Sequence, residues 1–410
     1  MSTEALSRNP HDEEYEDLLS LWSDLESALS VLLSRPGQVR DFAAKLRQFD
    51  RWLQELVAHD IDASLYLMFQ LASTSTVGYS ASHALVCGTL CHIMAREFGL
   101  PDHERNALVR AALTMNIGMT QMQDELAVQR EAPTPAQQKA IADHPRKSQD
   151  MLEHLDITND LWLDVVGQHH GRLAAAAPLA ELPAVDRLTR ILGTIDRYAA
   201  MISPRKSRAG RSATDSVRAL VGQEIDQRDE VGLMLVRTVG LCPPGTFVRL
   251  DNGDTAIVLR RGDKPNMPLV ASVLDAAGAH LSEPKIHPTA QGRPHVKSAL
   301  AHTSVTVDMN HRTMVRLGMY AAQRASVLVA HGGAAAAAPH TGAGALAPRQ
   351  RAAGGGRRPE PAGRARRRGV DLRSGPPQCG WPQTSIASRP STATSTLAPT
   401  GSSTLVATCP

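Results

Sequence analysis

Four histidines and one aspartate, His83, His144, His169, His170 and Asp196, fall on successive stretches of helical pattern and are the side chains best suited to gather around a cation. Imidazole nitrogens and a carboxylate brought together from several helices can ligate paired divalent ions, whose bridging water then attacks a phosphoester. Such a pair also needs an anionic oxygen shared between the two ions. Taken singly, none of these residues is specific, because an isolated histidine on a helix is more often a surface or hydrogen-bonded side chain than a ligand. A different metal reading places His83, Cys87 and Cys91 on one helix face at steps of four, where two thiolates and an imidazole suit zinc. Small buried cysteines packed against a neighbouring helix account for the same spacing.

The elements that must position these residues are mostly helical. Over 13–34, Leu18, Leu19, Trp22, Leu25, Leu29 and Leu32 recur at three and four and Pro36-Gly37 ends the run; similar runs follow over 39–58 and 63–73. Between 79 and 239 helical patterns cover 80–98, 102–114, 135–155, 161–169, 185–201, 214–223 and 229–239, separated by short Pro, Gly and Asp breaks. Strand-like pieces at 246–250, 255–259 and 269–274 come next, with Asp251-Asn252-Gly253-Asp254 as a hairpin turn. Beyond about Ala330 the chain turns to Ala, Gly, Pro, Arg, Ser and Thr without an apolar period, a composition expected to be disordered. The expected class is mainly α. An N-terminal helical subdomain (1–76), an all-helical domain (77–240), a small β extension (241–325) and a disordered tail (326–410) make up the expected organisation.

The flanks of the candidate ligands add a family likeness. Tyr79-Ser80-Ala81-Ser82-His83, His144-Pro145 with Met151-Leu152, His169-His170-Gly171-Arg172, Ile195-Asp196-Arg197-Tyr198-Ala199-Ala200-Met201 with Arg205, and the segment PPGTFVRLDNGDTAIVL occur in that order. Over about residues 79–275 they resemble the HD-GYP branch of the HD-domain phosphohydrolases. The resemblance implies an all-helical HD-type domain whose active members hydrolyse the bacterial messenger cyclic di-GMP with two or three metal ions.

Four departures from that pattern bear on activity. The His-Asp dyad is Met115-Asn116, and a neutral Asn carbonyl is a poorer bridge between two cations than a carboxylate. Met119 stands where a lysine that could steady a phosphoryl transition state is expected. Tyr79 replaces an acidic residue one turn before His83, and Leu173-Ala174-Ala175-Ala176-Ala177-Pro178 replaces the glycine-rich DGxGYP loop. His144, His169 and His170 still suffice for one divalent ion such as zinc, manganese or iron; a polar cluster whose histidines only hydrogen-bond is the other reading, and both stay open.

Charge and composition narrow the classes further. The whole chain carries +3, but residues 331–410 hold ten Arg and no Lys against Glu360 and Asp371, a net of +8, which leaves −5 on residues 1–330. An acidic body argues against a nucleic-acid surface. The five cysteines Cys87, Cys91, Cys242, Cys379 and Cys409 are scattered, without a CxxC pair, so neither a disulfide framework nor a zinc ribbon is expected, and a cytoplasmic setting fits. The N-terminus is polar and acidic, and no apolar run approaches the ~20 residues that span a bilayer, so no export signal and no membrane contact are expected. The expected function is a catalytically impaired signalling module that binds a protein partner or cyclic di-GMP, with a homodimer through the N-terminal helices as one arrangement. An active phosphodiesterase with a reduced metal site and a non-hydrolysing cyclic di-GMP receptor are the alternatives.

Overall fold

The computed structural model describes residues 10–74, 77–171, 177–203, 205–206, 214–216, 219, 230–301, 304–305, 307 and 309–322. The expected disordered tail, most of the expected helix over 214–223 and residues 173–176 of the 173–178 segment lie outside the described residues.

Three helices open the fold: α1 (Pro10–Ser34), α2 (Phe42–His59) and α3 (Ile61–Thr74). Then come α4 (Tyr79–Glu97), α5 (Asp102–Thr114), a 3-10 turn (Ile117–Met119), α6 (Thr120–Val128), α7 (Pro135–His154), α8 (Asp160–Gln168), α9 (Ala184–Ile202) and α10 (Glu230–Val239). Every residue of α4 from Ser80 to Ala95 is buried. A helix buried on all sides is a central one, and α1, α2, α3, α5, α6, α9 and α10 all pack on it.

The leucine row of α1 is spent inside the chain: Leu18, Trp22, Leu25, Leu29 and Leu32 join a core continuous with α4, α5 and α9. A buried polar knot ties these layers, since Asp50 of α2 accepts from His92 Nε2 of α4 (3.0 Å) and from Arg110 Nε of α5 (3.1 Å). Pairing of this kind is what allows a carboxylate 2% exposed to sit in an apolar core.

Five strands follow: β1 (Phe247–Leu250), β2 (Thr255–Arg260), β3 (Leu269–Leu274), β4 (His280–Pro288) and β5 (Val296–Leu300). They form one sheet in the order β4-β3-β2-β1-β5 with every pair antiparallel. Alternation along β2 splits its side chains, Ile257 and Leu259 facing the helical core while Ala256 and Val258 join a separate small cluster with Val248, Leu250 and Val270. The sheet is pinned to the start of α3, where Arg260 bonds Asp60 (2.7 Å) and Arg261 bonds Asp62 (2.7 Å). A closing helix over 311–322 adds Met314 and Val315 to the main core. Mainly helical architecture with a small β extension is therefore what the chain adopts. No described helix is long and apolar enough to cross a membrane.

Candidate metal centre

Each candidate ligand is delivered by a different part of the helical layer. His83 lies on α4, His144 inside α7, His169 and His170 at the end of α8, and Asp196 on α9. Their donor atoms fall into two groups, His144 with His169 and His170, and His83 with Cys87 and Asp196, each spanning no more than 4.8 Å. The zinc reading of His83, Cys87 and Cys91 needs correcting: His83 and Cys87 do meet, but their third partner is Asp196. Cys91, one turn further on and fully buried, lies outside the group.

The three-imidazole group is built by local backbone chemistry. Pro145 sits within α7 and has no N–H, so the carbonyl of Ile141, four residues earlier, keeps a free lone pair. That carbonyl receives His144 Nδ1–H. At the end of α8, where the last carbonyls of a helix have no intrahelical partner, His169 Nδ1–H donates to the Val166 carbonyl at 2.7 Å. A carbonyl oxygen only accepts, so both Nδ1 atoms carry the proton and both Nε2 atoms present bare lone pairs.

Those two Nε2 atoms face each other at 3.0 Å. Burial is the main reason that His144 is lowered to about 4 and His169 to about 3, which keeps both neutral near pH 7 and leaves no proton to share between them. Two lone pairs aimed at one another repel unless a cation lies between or beside them. Imidazole nitrogens bind zinc at about 2.0–2.1 Å, so donors at this separation can reach one ion, and the residues present therefore fit a metal. His170, exposed, completes the group with its ring centroid 4.3 Å from that of His169.

Close approach of α9 brings the second group alongside. A Cβ on Gly193 would stand 3.0 Å from the His169 carbonyl, so a glycine there lets α9 lie against the end of α8. Three residues on, Asp196 accepts from His83 Nε2–H at 2.9 Å, and Cys87 Sγ is 3.6 Å from the same nitrogen. Burial alone would raise the Asp196 carboxyl, but the hydrogen bond from His83 opposes it and the group is held below the usual carboxylate range. Burial pushes the Cys87 thiol up, and the Asp196 charge adds to this.

Tyr79, in the position of the missing acid, stacks on His83 with ring centroids 5.6 Å apart and planes 13° from parallel. Arg205 lies over the phenol ring, 4.7 Å from its centroid, and donates to its hydroxyl at 2.8 Å. Arg205 and Tyr79 thus stand beside His83 at the edge of the second group. Sequence spacing does not disclose it, because Tyr79 and Arg205 are 126 residues apart.

The Met115-Asn116 segment leads into a turn that is seated on α7. Gly118 N–H donates to Ser148 Oγ at 3.0 Å, and a Cβ on Gly118 would come within 2.9 Å of the Ser148 backbone, so the 117–119 turn is seated on α7 one turn after His144. Met115 is 1% exposed and part of the hydrophobic core. Asn116 is half-buried at the head of the turn, and Met119 is half-buried at its end. Among the described residues, Asp196 is the one carboxylate in either donor group.

Residues 61–229 match the HD domain family. That segment carries the likeness to HD domains, and its motifs resemble the HD-GYP branch. The matched segment opens within α3 and takes in all five candidate ligands. The chain is similar to the cyclic di-GMP phosphodiesterase PA4108 of Pseudomonas aeruginosa, with 26% identity over 186 residues, 45% of this chain and 45% of that protein. It thus spans about half the length of that relative. Bd1817, a HDG"Y"P protein from Bdellovibrio bacteriovorus, is a similar solved structure, at 11% identity and a TM-score of 0.41, covering 57% of this chain and 74% of that one.

Proposed function

We propose that this HD-GYP domain is a catalytically impaired signalling module that holds one divalent cation on His144, His169 and His170 and binds cyclic di-GMP without efficient hydrolysis. The observation that carries the reading is the dyad position, where a core methionine and a neutral asparagine stand in place of donors that would join two ions. Support for cyclic di-GMP comes from the named activity of the Pseudomonas relative. Zinc, manganese and iron all suit a set of imidazoles.

A bound cation would supply Lewis acidity toward a phosphate oxygen and would acidify a coordinated water. The protein's own part is to orient His144 and His169 through the Ile141 and Val166 carbonyls, and to keep the Asp196 carboxylate charged beside the imidazoles. Arg205, fixed on Tyr79, adds a positive charge at the edge of the centre. What the domain lacks is an anionic oxygen at 116 able to serve two ions at once.

Elemental analysis of protein purified without chelator, followed by incubation with cyclic di-GMP and Mn²⁺ or Fe²⁺, tests the reading. One metal equivalent, micromolar binding by calorimetry and no turnover support it. Turnover that disappears in the His169→Ala, His170→Ala double variant would establish the alternative of an active phosphodiesterase with a reduced metal site. Metal content of zero would leave the imidazoles as a hydrogen-bonded cluster and refute the one-cation site.

A further inference from the structure

His144 and His169 are buried, whereas His170 is exposed at the end of α8, so a ligand reaches a cation on the three imidazoles from the His170 end. α9 brings a charged side chain to that same end. Gly193 and Arg197, four residues apart, share one face of α9. A Cβ added to Gly193 would stand 3.0 Å from the His169 carbonyl oxygen and 3.7 Å from Arg197 Nη1, so the exposed guanidinium lies where α9 crosses the end of α8. We propose that Arg197 is an anion clamp for this centre, holding a phosphodiester group of the ligand beside the cation on the three imidazoles; the proposal rests on the one-cation reading above.

The guanidinium is preset by its own helix. Arg197 Nη2 donates to Thr194 Oγ1 at 3.2 Å, and the Thr194 hydroxyl donates its proton to the Arg190 carbonyl at 3.0 Å. With that proton committed, the Thr194 oxygen serves Arg197 as an acceptor. Thr194 is 3% exposed, which fixes the anchor in the packed layer. The anchor uses a single N–H, so a planar fork remains for two parallel bonds to a phosphate.

Other arginines nearby are committed to protein partners. Arg187 forms a bidentate pair with Glu104, at 2.6 and 3.1 Å, and donates to the Leu182 carbonyl; Arg205 donates to the Tyr79 hydroxyl. Among the described residues no carboxylate pairs with Arg197: Asp196, its neighbour in sequence, accepts from His83 instead. A cation on neutral imidazoles and a guanidinium without a carboxylate partner place two positive groups at one opening, which suits an anion and disfavours a cationic ligand.

Titration calorimetry of the Mn²⁺-loaded full chain with cyclic di-GMP reads the clamp. Arg197→Ala is expected to weaken binding about 10- to 100-fold and to make it less sensitive to salt, with metal content unchanged. Arg197→Lys is expected to recover part of the loss, because it keeps the charge and lacks the fork. Thr194→Val, which removes the anchoring hydroxyl, is expected to weaken binding about 3-fold. Equal affinity in the unaltered protein and Arg197→Ala would overturn the proposal and leave the one-cation reading standing. A lowered Tm with unchanged affinity would overturn it too, being the mark of a plain cap on the last carbonyls of α8. If the unaltered chain carries one metal equivalent and takes up no cyclic di-GMP, that ligand is lost from the reading above, and inorganic phosphate titrated into the same proteins decides the clamp. Weaker phosphate binding in Arg197→Ala supports it, and equal binding overturns it.

Discussion

The two donor groups of the centre are held in different ways, one within single helices and the other across two. His144 and His169 are each oriented by a carbonyl three residues earlier on their own helix. Their support is local, so it survives whatever happens at the dyad position. The His83 group is instead joined across two elements, by the hydrogen bond from His83 of α4 to Asp196 of α9.

The largest effect expected from breaking this contrast is a gain. Met115→His together with Asn116→Asp restores a bridging carboxylate and an imidazole on a turn still seated by Gly118 and Ser148. Metal content is expected to rise by one equivalent, with turnover of cyclic di-GMP at least about 100-fold above the unaltered protein. Burying an imidazole in place of a packed thioether costs about 1–3 kcal/mol, visible as a lower Tm. Unchanged metal content in a folded variant would mean that the loss at 115–116 is not what separates the two groups.

Pro145→Ala tests the local support. An N–H at 145 competes for the Ile141 carbonyl, so the helix is repaired and the His144 tautomer is released. Thermal stability is expected to hold or rise while divalent-ion affinity by titration calorimetry falls about 10-fold. Equal affinity in the two proteins would show that the carbonyl is not what orients His144.

Gly193→Ala probes the seam between the groups. The added methyl meets the His169 carbonyl at 3.0 Å, and the expected loss is about 1–3 kcal/mol of stability in urea melts with a few-fold weaker metal binding. A neutral substitution would indicate that α9 can shift without disturbing Asp196.

Much of the helical framework is legible in the sequence because its apolar residues repeat at helical spacing, as along α1 and α2, and because breaks such as Pro36-Gly37 interrupt the pattern. Other elements escape for physical reasons. The inward face of α6 carries Thr120, Gln123 and Ala127, too polar to register as an apolar stripe. β4 and β5 are edge strands with no buried residue, and β4 contains Pro284, so neither shows the short apolar run that marks β2 and β3. Within the centre, His83, His144, His169, His170 and Asp196 could be named from residue type and flanking motif. Their division into two groups could not, nor could the part of Cys87, whose spacing points equally to Cys91.

Residue identity alone determines the available chemistry here: which nitrogens, oxygens and sulfurs exist, that position 116 carries no charge, and that a proline follows His144. Tertiary structure decided which of those atoms meet. Hydrogen bonds of 3 Å and metal bonds of about 2 Å depend on how helices pack, and packing is set by side chains far apart in the chain, such as Gly193 against the His169 carbonyl. Sequence spacing records neighbours within a helix, and the grouping of donors from four helices arises only when those helices close on one another.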